Sequence, residues 1–274
     1  LKVAIFPLHL WLPNAYTYAP SAITSFLAAT ATKVAIYVML RFLFSVFQPG
    51  FLAEVPTLDL ILYLFAILAM FAASYTAILQ RDLKRMLAYS SIGQVGYMLL
   101  GIALLSESGL MATMIHLFNH GITKAALFMG VGVYVLNGGG SFYNNLRGRG
   151  KTMPWTSAAM VVVGLSLIGV PGTAGFLSKW LLVEAALAQG MWPIALLIVA
   201  SSLLAVIYVW KLIETLYLAQ PAEGLQDQNV PLMMMIPLWV MALACIYFGF
   251  DTDITLSAAR SAAEGLLAGS AGMR

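Results

Sequence analysis

Cysteine pairs, nucleotide-binding loops and interior arginine are all missing from this 274-residue chain, and each absence narrows what it does. The single cysteine, Cys245, lies in an apolar run. No intramolecular disulfide or cysteine-ligated cluster can form, and the residue reads as packing. Charge is equally scarce: 9% of residues are Asp, Glu, Lys or Arg, against roughly 25% in a soluble domain. The net charge of +3 is small and dispersed, which argues against a nucleic-acid partner. There is no Gly-rich phosphate loop of Walker type, so ATP-driven transport by this chain is not expected. The pair His116 and His120 lacks the glutamate of a zinc-protease helix, because Leu117 follows the first histidine and no nearby carboxylate completes a site. With His9 the only other histidine, haem ligation is no better supported, and neither a metal nor another cofactor is expected. The chain opens on Leu1-Lys2, without an initiator methionine or a signal peptide, part-way into an apolar segment. That opening reads as a fragment of a longer subunit.

What remains is apolar. Sixty-one per cent of the residues are hydrophobic and the mean hydropathy is +0.90, which marks a polytopic membrane protein. Spans of roughly the 20 residues that a bilayer requires are expected at Ser21 to Phe47, Pro56 to Leu79, a helix following the basic turn QRDLKR at 80–85, Gly109 to Leu136, Pro154 to Ala188, Trp192 to Leu218 and Val230 to Phe250. The fold class is therefore all-α, a transmembrane bundle of about seven or eight spans over residues 1–250. The Ala/Gly/Ser-rich tail, 251–274, is expected to be a weak surface helix or disordered.

Two spans are broken. Prolines at 7, 13 and 20 interrupt the first segment and GVPGTAG at 169–175 interrupts the Pro154 span. At membrane depth such breaks survive only where protein or water satisfies the freed backbone groups, and paired discontinuous helices point to transport proteins built from repeats. A lysine stands beside each break, Lys2 and Lys179.

Between them lies HLFNHGITKAALF, in which His116, His120 and Lys124 recur at every fourth residue. On a helix each such step advances about 40° and roughly 6 Å, so the three side chains form one stripe about 12 Å long. Such a stripe needs a reason, because an ionisable group at membrane depth costs on the order of 2.5 kcal/mol or more. Lys33 sits mid-span and Lys211 lies three residues before Glu214, with which it is placed to pair. None of the clearly interior bases is arginine. Lysine, unlike arginine, can lose its proton when desolvated, and histidine titrates near neutrality. The pattern fits a relay of titratable groups. The rival is a structural scaffold whose lysines merely pair with Glu184, Glu214 or backbone carbonyls. Counting loops in alternation puts Arg81, Lys84, Arg85, Arg147, Arg149 and Lys151 on one side, opposite Glu54 and Glu107. The positive-inside rule makes the basic side cytoplasmic and the C-terminal tail external, in a bacterial plasma membrane.

K-x4-P-L-H-x-W-L-P-x-A with APS following, QRDLKRMLAYSSIGQVGY, HLFNHGITKAALF and PGTAGFLSK together resemble the antiporter-like, proton-translocating membrane subunits shared by respiratory complex I, membrane-bound hydrogenases and Mrp-type cation/proton antiporters. The resemblance runs from Lys2 to about Phe250. It implies that Lys2 is the lysine of the first broken helix, Lys33 the connecting lysine, His116, His120 and Lys124 the central hydrophilic link, and Lys179 the terminal group of the second break. Lysine at 179, where one complex I subunit of the group has glutamate, and NLRGRGKTMPWT make the chain look closest to the D-type Mrp subunit. The implied function is proton conduction coupled to Na⁺ or K⁺ exchange beside other membrane subunits. The alternative is a proton-pumping subunit of a redox-driven complex, such as an NADH:quinone oxidoreductase or a hydrogenase. In either case no redox or hydrolytic centre sits in this chain. Family members have about fourteen spans in two inverted repeats. The glutamate that pairs with the first lysine would lie upstream of Leu1, which leaves that half-channel incomplete here.

Overall fold

The computed structural model describes residues 1–47, 55–138, 140–220 and 230–268. Glu54 of the loop count and the tail beyond 268 lie outside the described residues. All regular elements described are helical, built around one long helix. Leu1 to Leu10 form successive turns, with Ala4 in the left-handed region at φ 59°, before α1 (Trp11–Tyr18). Next come α2 (Ser21–Arg41), prolonged by a π-helical turn Phe42–Val46, and α3 (Pro56–Leu68), which continues through a second π turn, Ala69–Ala73, into Ser74–Leu79. Then follow α4 (Leu83–Ala103), α5 (Glu107–Leu136), α6 (Pro154–Ile168), α7 (Ala174–Ala188), α8 (Trp192–Ile213) with a π turn Glu214–Leu218, α9 (Leu232–Phe250) and α10 (Asp253–Ala268).

Local chemistry sets the helix boundaries. Asp82 caps α4 by accepting from the Arg85 amide at 2.9 Å, and Ser106 caps α5 by accepting from the Gly109 amide at 3.1 Å. Proline stands at the first turn of α3, α6 and α8, where no amide donor is needed. Gly169 ends α6 in the left-handed conformation at φ 91°, and Gly172 at φ 83° turns the chain into α7. This is the second of the two expected breaks. The first is the non-helical run ahead of α1.

Five described helices are long and apolar enough to cross a membrane. The protein is an integral membrane protein. The helix α5, at 30 residues, is roughly 45 Å long, and α2, α4, α6, α7, α9 and α10 all pack against it. Burial separates inner from outer elements: 94% of the α4 window is buried but only 17% of the α9 window. The tail includes a helix, α10, that turns Ala259, Ala263 and Leu266 inward and ties Arg260 to Glu107 at 3.5 Å.

The loops gather at two ends, as the alternation count expects. At the basic end the Leu83 amide donates to the Ser141 carbonyl at 2.8 Å, the Tyr143 amide to the Arg81 carbonyl at 3.1 Å and the Gly148 amide to the Thr215 carbonyl at 3.0 Å. At the other end Gln189 Nε2 donates to the Leu104 carbonyl at 2.7 Å, and Glu107 meets Arg260.

At the α6–α7 break the two helix ends touch, and a Cβ on Gly175 would stand 1.8 Å from the Ser166 carbonyl oxygen. Gly175→Ala is therefore expected to destabilise the fold by about 1–3 kcal/mol, the usual cost of forced overpacking. Gly265→Ala, where nothing lies within 4 Å, serves as the neutral control. Thermal unfolding of the purified variants measures the difference.

Candidate functional site

Three faces of the bundle converge on the stripe of α5. His116, His120 and Lys124 are buried, and the two imidazoles stack with centroids 6.0 Å apart and planes 10° from parallel. The four-residue spacing thus becomes a ring-on-ring ladder. One rung below, Lys124 reaches across to α4, donating to the Leu87 carbonyl at 2.9 Å and to Ser90 Oγ at 2.5 Å. Ser90 and Ser91 also donate to the Leu87 carbonyl, at 2.9 and 3.0 Å, so one mid-helix carbonyl gathers the polar groups of both helices.

Lys179 lies on α7 and folds back over the break. Its ammonium donates to the carbonyls of Leu167 at 3.1 Å and Ile168 at 2.7 Å, the last two residues of α6. The physical cause is the stop at Gly169. Once the chain turns away there, these terminal carbonyls lose the amides that would have continued the helix, and the negative end of the helix dipole meets the cation. The same ammonium sits 4.9 Å over the Tyr97 ring of α4, a cation–π contact, and Tyr97 is 5.6 Å from His116.

Lys33, buried on α2, donates to the carbonyl of Ala28. It also lines a cavity of about 570 Å³ with Tyr37, Arg41, Met114, Leu117 and Leu266, between α2, α5 and α10. The fields of Lys33, Lys124, His116 and Lys179 all reach His120. The structure therefore brings Lys33, His116, His120, Lys124 and Lys179 into one interior row. Lys2 is exposed on the first turns and stands outside this buried row.

A small cavity of about 10 Å³ opens at the centre, lined by Gln94, His116, Asn119, His120, Thr123 and Lys179 among others. That is about the space of one water molecule. Both ring nitrogens of His120, Nε2 of His116 and Oδ1 of Asn119 are buried without a hydrogen-bond partner among the described residues.

Three contributors escaped the sequence reading. Ser178 Oγ contacts His116 Nδ1 at 2.8 Å, Asn119 Nδ2 donates to the Ala174 carbonyl at 2.6 Å, and Tyr97 carries the cation–π contact. Asn119 was findable, three residues from His116 and so on the same face. Ser178 and Tyr97 become neighbours of the stripe only through packing.

The expected Lys211–Glu214 pair is replaced. Lys211 donates instead to the carbonyls of Ile78 at 2.9 Å and Gln80 at 2.7 Å, at the end of α3, and lies 5.0 Å over Tyr143. The unsatisfied carbonyls of a helix end outcompete a glutamate that is free to face outward. Among the described residues Arg260 forms ion pairs with Glu107 and Glu264, and no interior lysine has a carboxylate partner.

Residues 1–205 match the family described as NADH:quinone oxidoreductase/Mrp antiporter, TM. NADH-quinone oxidoreductase subunit N of Desulforudis audaxviator is 36% identical over 270 residues, covering 94% of this chain and 54% of the relative. F(420)H(2) dehydrogenase subunit L of Methanosarcina mazei is 35% identical over 262 residues, covering 90% and 38%. The chain spans about half the length, or less, of these curated relatives. Among solved structures, the Mrp complex from Dietzia sp. has a TM-score of 0.88 over 97% of this chain and 57% of that one; at 24% identity this is a likeness of fold. An archaeal membrane-bound sulfane sulfur reductase gives 0.86 at 32% identity, over 97% and 54%.

Carbonyls rather than carboxylates hold the lysines, which separates two kinds of variant. Glu184→Gln and Glu214→Gln are expected to change stability by less than about 0.5 kcal/mol, as at ordinary surface positions. Lys211→Met, which strips the cation from two helix-end carbonyls, is expected to cost about 1–3 kcal/mol. Unfolding of the three purified variants decides.

Proposed function

Because the chain belongs to the NADH:quinone oxidoreductase/Mrp antiporter transmembrane family, we propose that it moves protons through the membrane interior by means of a set of coupled titratable groups, Lys33, His116, His120, Lys124 and Lys179. It does so as one subunit of a multisubunit membrane complex, with Lys2 on the exposed first turns joining the row to what lies beyond. Residues 1–250 form the translocating domain and 251–274 a tail. The observation that carries this reading is the buried row itself: two histidines and three lysines inside the bundle, the other four close enough to act electrostatically on His120, with no carboxylate counter-ion among the described residues.

Coupling follows from the spacing. At about 6 Å and an effective dielectric near 20, two unit charges interact by about 3 kcal/mol. A proton arriving on one ring therefore displaces its neighbour's by roughly a hundredfold in equilibrium. Each group hands the bias to the next, and the row titrates as a unit.

Relatives at 35–36% identity are named as subunits of an NADH-quinone oxidoreductase and an F(420)H(2) dehydrogenase. These names support a redox-driven complex in which electrons travel in other subunits. A second reading, cation/proton antiport with Na⁺ or K⁺, is supported by lysine at 179, by the NLRGRGKTMPWT segment and by the fold likeness to the Mrp complex. In both, the basic end faces the cytoplasm of a bacterial cell and the C-terminus faces outward.

Lys124→Ala and Lys179→Ala are each expected to abolish coupled proton movement while the complex still assembles. Inverted vesicles carrying the protein with its neighbouring subunits, read with a pH-sensitive dye, test this; undiminished flux in assembled variants overturns the relay. In the same vesicles, acidification on adding an electron donor supports the redox complex. Dissipation of an imposed gradient only by Na⁺ or K⁺ replaces it with the antiporter.

A further inference from the structure

The two stacked histidines do not have equivalent surroundings. His116 Nδ1 lies 2.8 Å from Ser178 Oγ, and the same hydroxyl donates to the Gly175 carbonyl at 3.2 Å. A serine has one hydroxyl proton and a carbonyl can only accept. Both contacts are hydrogen bonds only if that proton points at Gly175 and the imidazole carries its own proton on Nδ1, donating to Oγ. The reverse tautomer would set the serine and carbonyl oxygens lone pair to lone pair. His116 Nε2 is then the bare nitrogen, buried without a protein partner on a ring that lines the central cavity with Asn119 and Lys179. Both nitrogens of His120 are buried and neither has a hydrogen-bond partner among the described residues.

Resting on the relay reading above, we propose that Ser178 is a positioning residue that fixes the tautomer of His116, so that His116 takes up and releases protons at Nε2 alone while His120 passes them through. In the loading step an ammonium N–H of Lys179, which lines the same central cavity, breaks and its proton passes through that cavity to Nε2, leaving a neutral amine and an imidazolium whose Nδ1–H still donates to Ser178. In the unloading step the Nε2–H bond breaks and the proton returns through the cavity to the Lys179 amine. No proton leaves through Nδ1, because the acceptor beyond Ser178 is a backbone carbonyl with no proton to exchange. His116 is a storage site beside the path, and its charge biases His120 across the 6.0 Å stack. His120, open at both nitrogens, can accept on one and donate from the other, so it is the link that carries protons between Lys124 and the rest of the row.

The test is ¹⁵N spectroscopy of histidine-labelled protein reconstituted in lipid bilayers, with the His116 signals assigned by their loss in His116→Asn. The expected result is a protonated Nδ1 and an unprotonated Nε2 at high pH, a mixture of tautomers in Ser178→Ala, and the original pattern restored in Ser178→Thr. An Nε2-protonated His116 in the unaltered protein, or a Ser178→Ala spectrum without change, overturns the assignment. This readout does not depend on transport, so it stands or falls apart from the relay. Proton flux then separates the two rings. His120→Asn is expected to lower it at least a hundredfold, whereas His116→Asn lowers it about tenfold and shifts its pH profile; equal losses in the two variants overturn the division of roles.

Discussion

A lysine ammonium drawn into the helix bundle has to be solvated by something, and in this protein it is solvated by backbone carbonyls whose own amide partners are missing or shared. Three lysines sit at the C-terminal ends of helices other than their own: Lys84 on the Ala19 carbonyl past α1, Lys211 on those of Ile78 and Gln80 at the end of α3, and Lys179 on those of Leu167 and Ile168 at the end of α6. Each such end offers a carbonyl that no continuing helix amide takes and the negative end of a helix dipole. Such a site favours the cation without locking it, since a carbonyl adds only a partial charge where a carboxylate would add a full one. The role proposed for Lys179 relies on that moderation.

The break between α6 and α7 is therefore more than an interruption. It ends one helix at Gly169 and lets α7 start against Ser166. From there Lys179 returns across the gap, while Ser178 faces the stripe on α5. Rigid packing at Gly175 holds these two side chains in register with His116. Loss of the break would remove the carbonyls that hold Lys179 and, with them, the end of the row.

The helix α5 contributes differently. Its polar stripe is enclosed by α2, α4, α6 and α7; α2 supplies Lys33 to it, α4 supplies Ser90 and Tyr97, and α7 supplies Lys179. Because these helices pack to near-complete burial, the charges of the row interact through a medium of low dielectric, the condition on which the proposed coupling rests. The surfaces of α2, α8 and α9 remain largely apolar and outward-facing, as suits lipid or neighbouring subunits.

The sequence by itself determined the membrane class, the two breaks and the grouping of basic loops at one end, because each follows from composition or from a fixed period along the chain; it also singled out six candidate bases, five of which are buried while Lys2 is exposed. It also carried the family resemblance through contiguous motifs. Only the tertiary structure decided what those bases touch. Lys211 stands three residues from Glu214 in sequence yet bonds carbonyls more than 130 residues away. Ser178 and Tyr97, on α7 and α4, become partners of His116 only when three helices meet. A helical period fixes which side chains share a face, but it is indifferent to which unsatisfied carbonyl or hydroxyl lies opposite. That choice depends on where other helices end and how closely they pack.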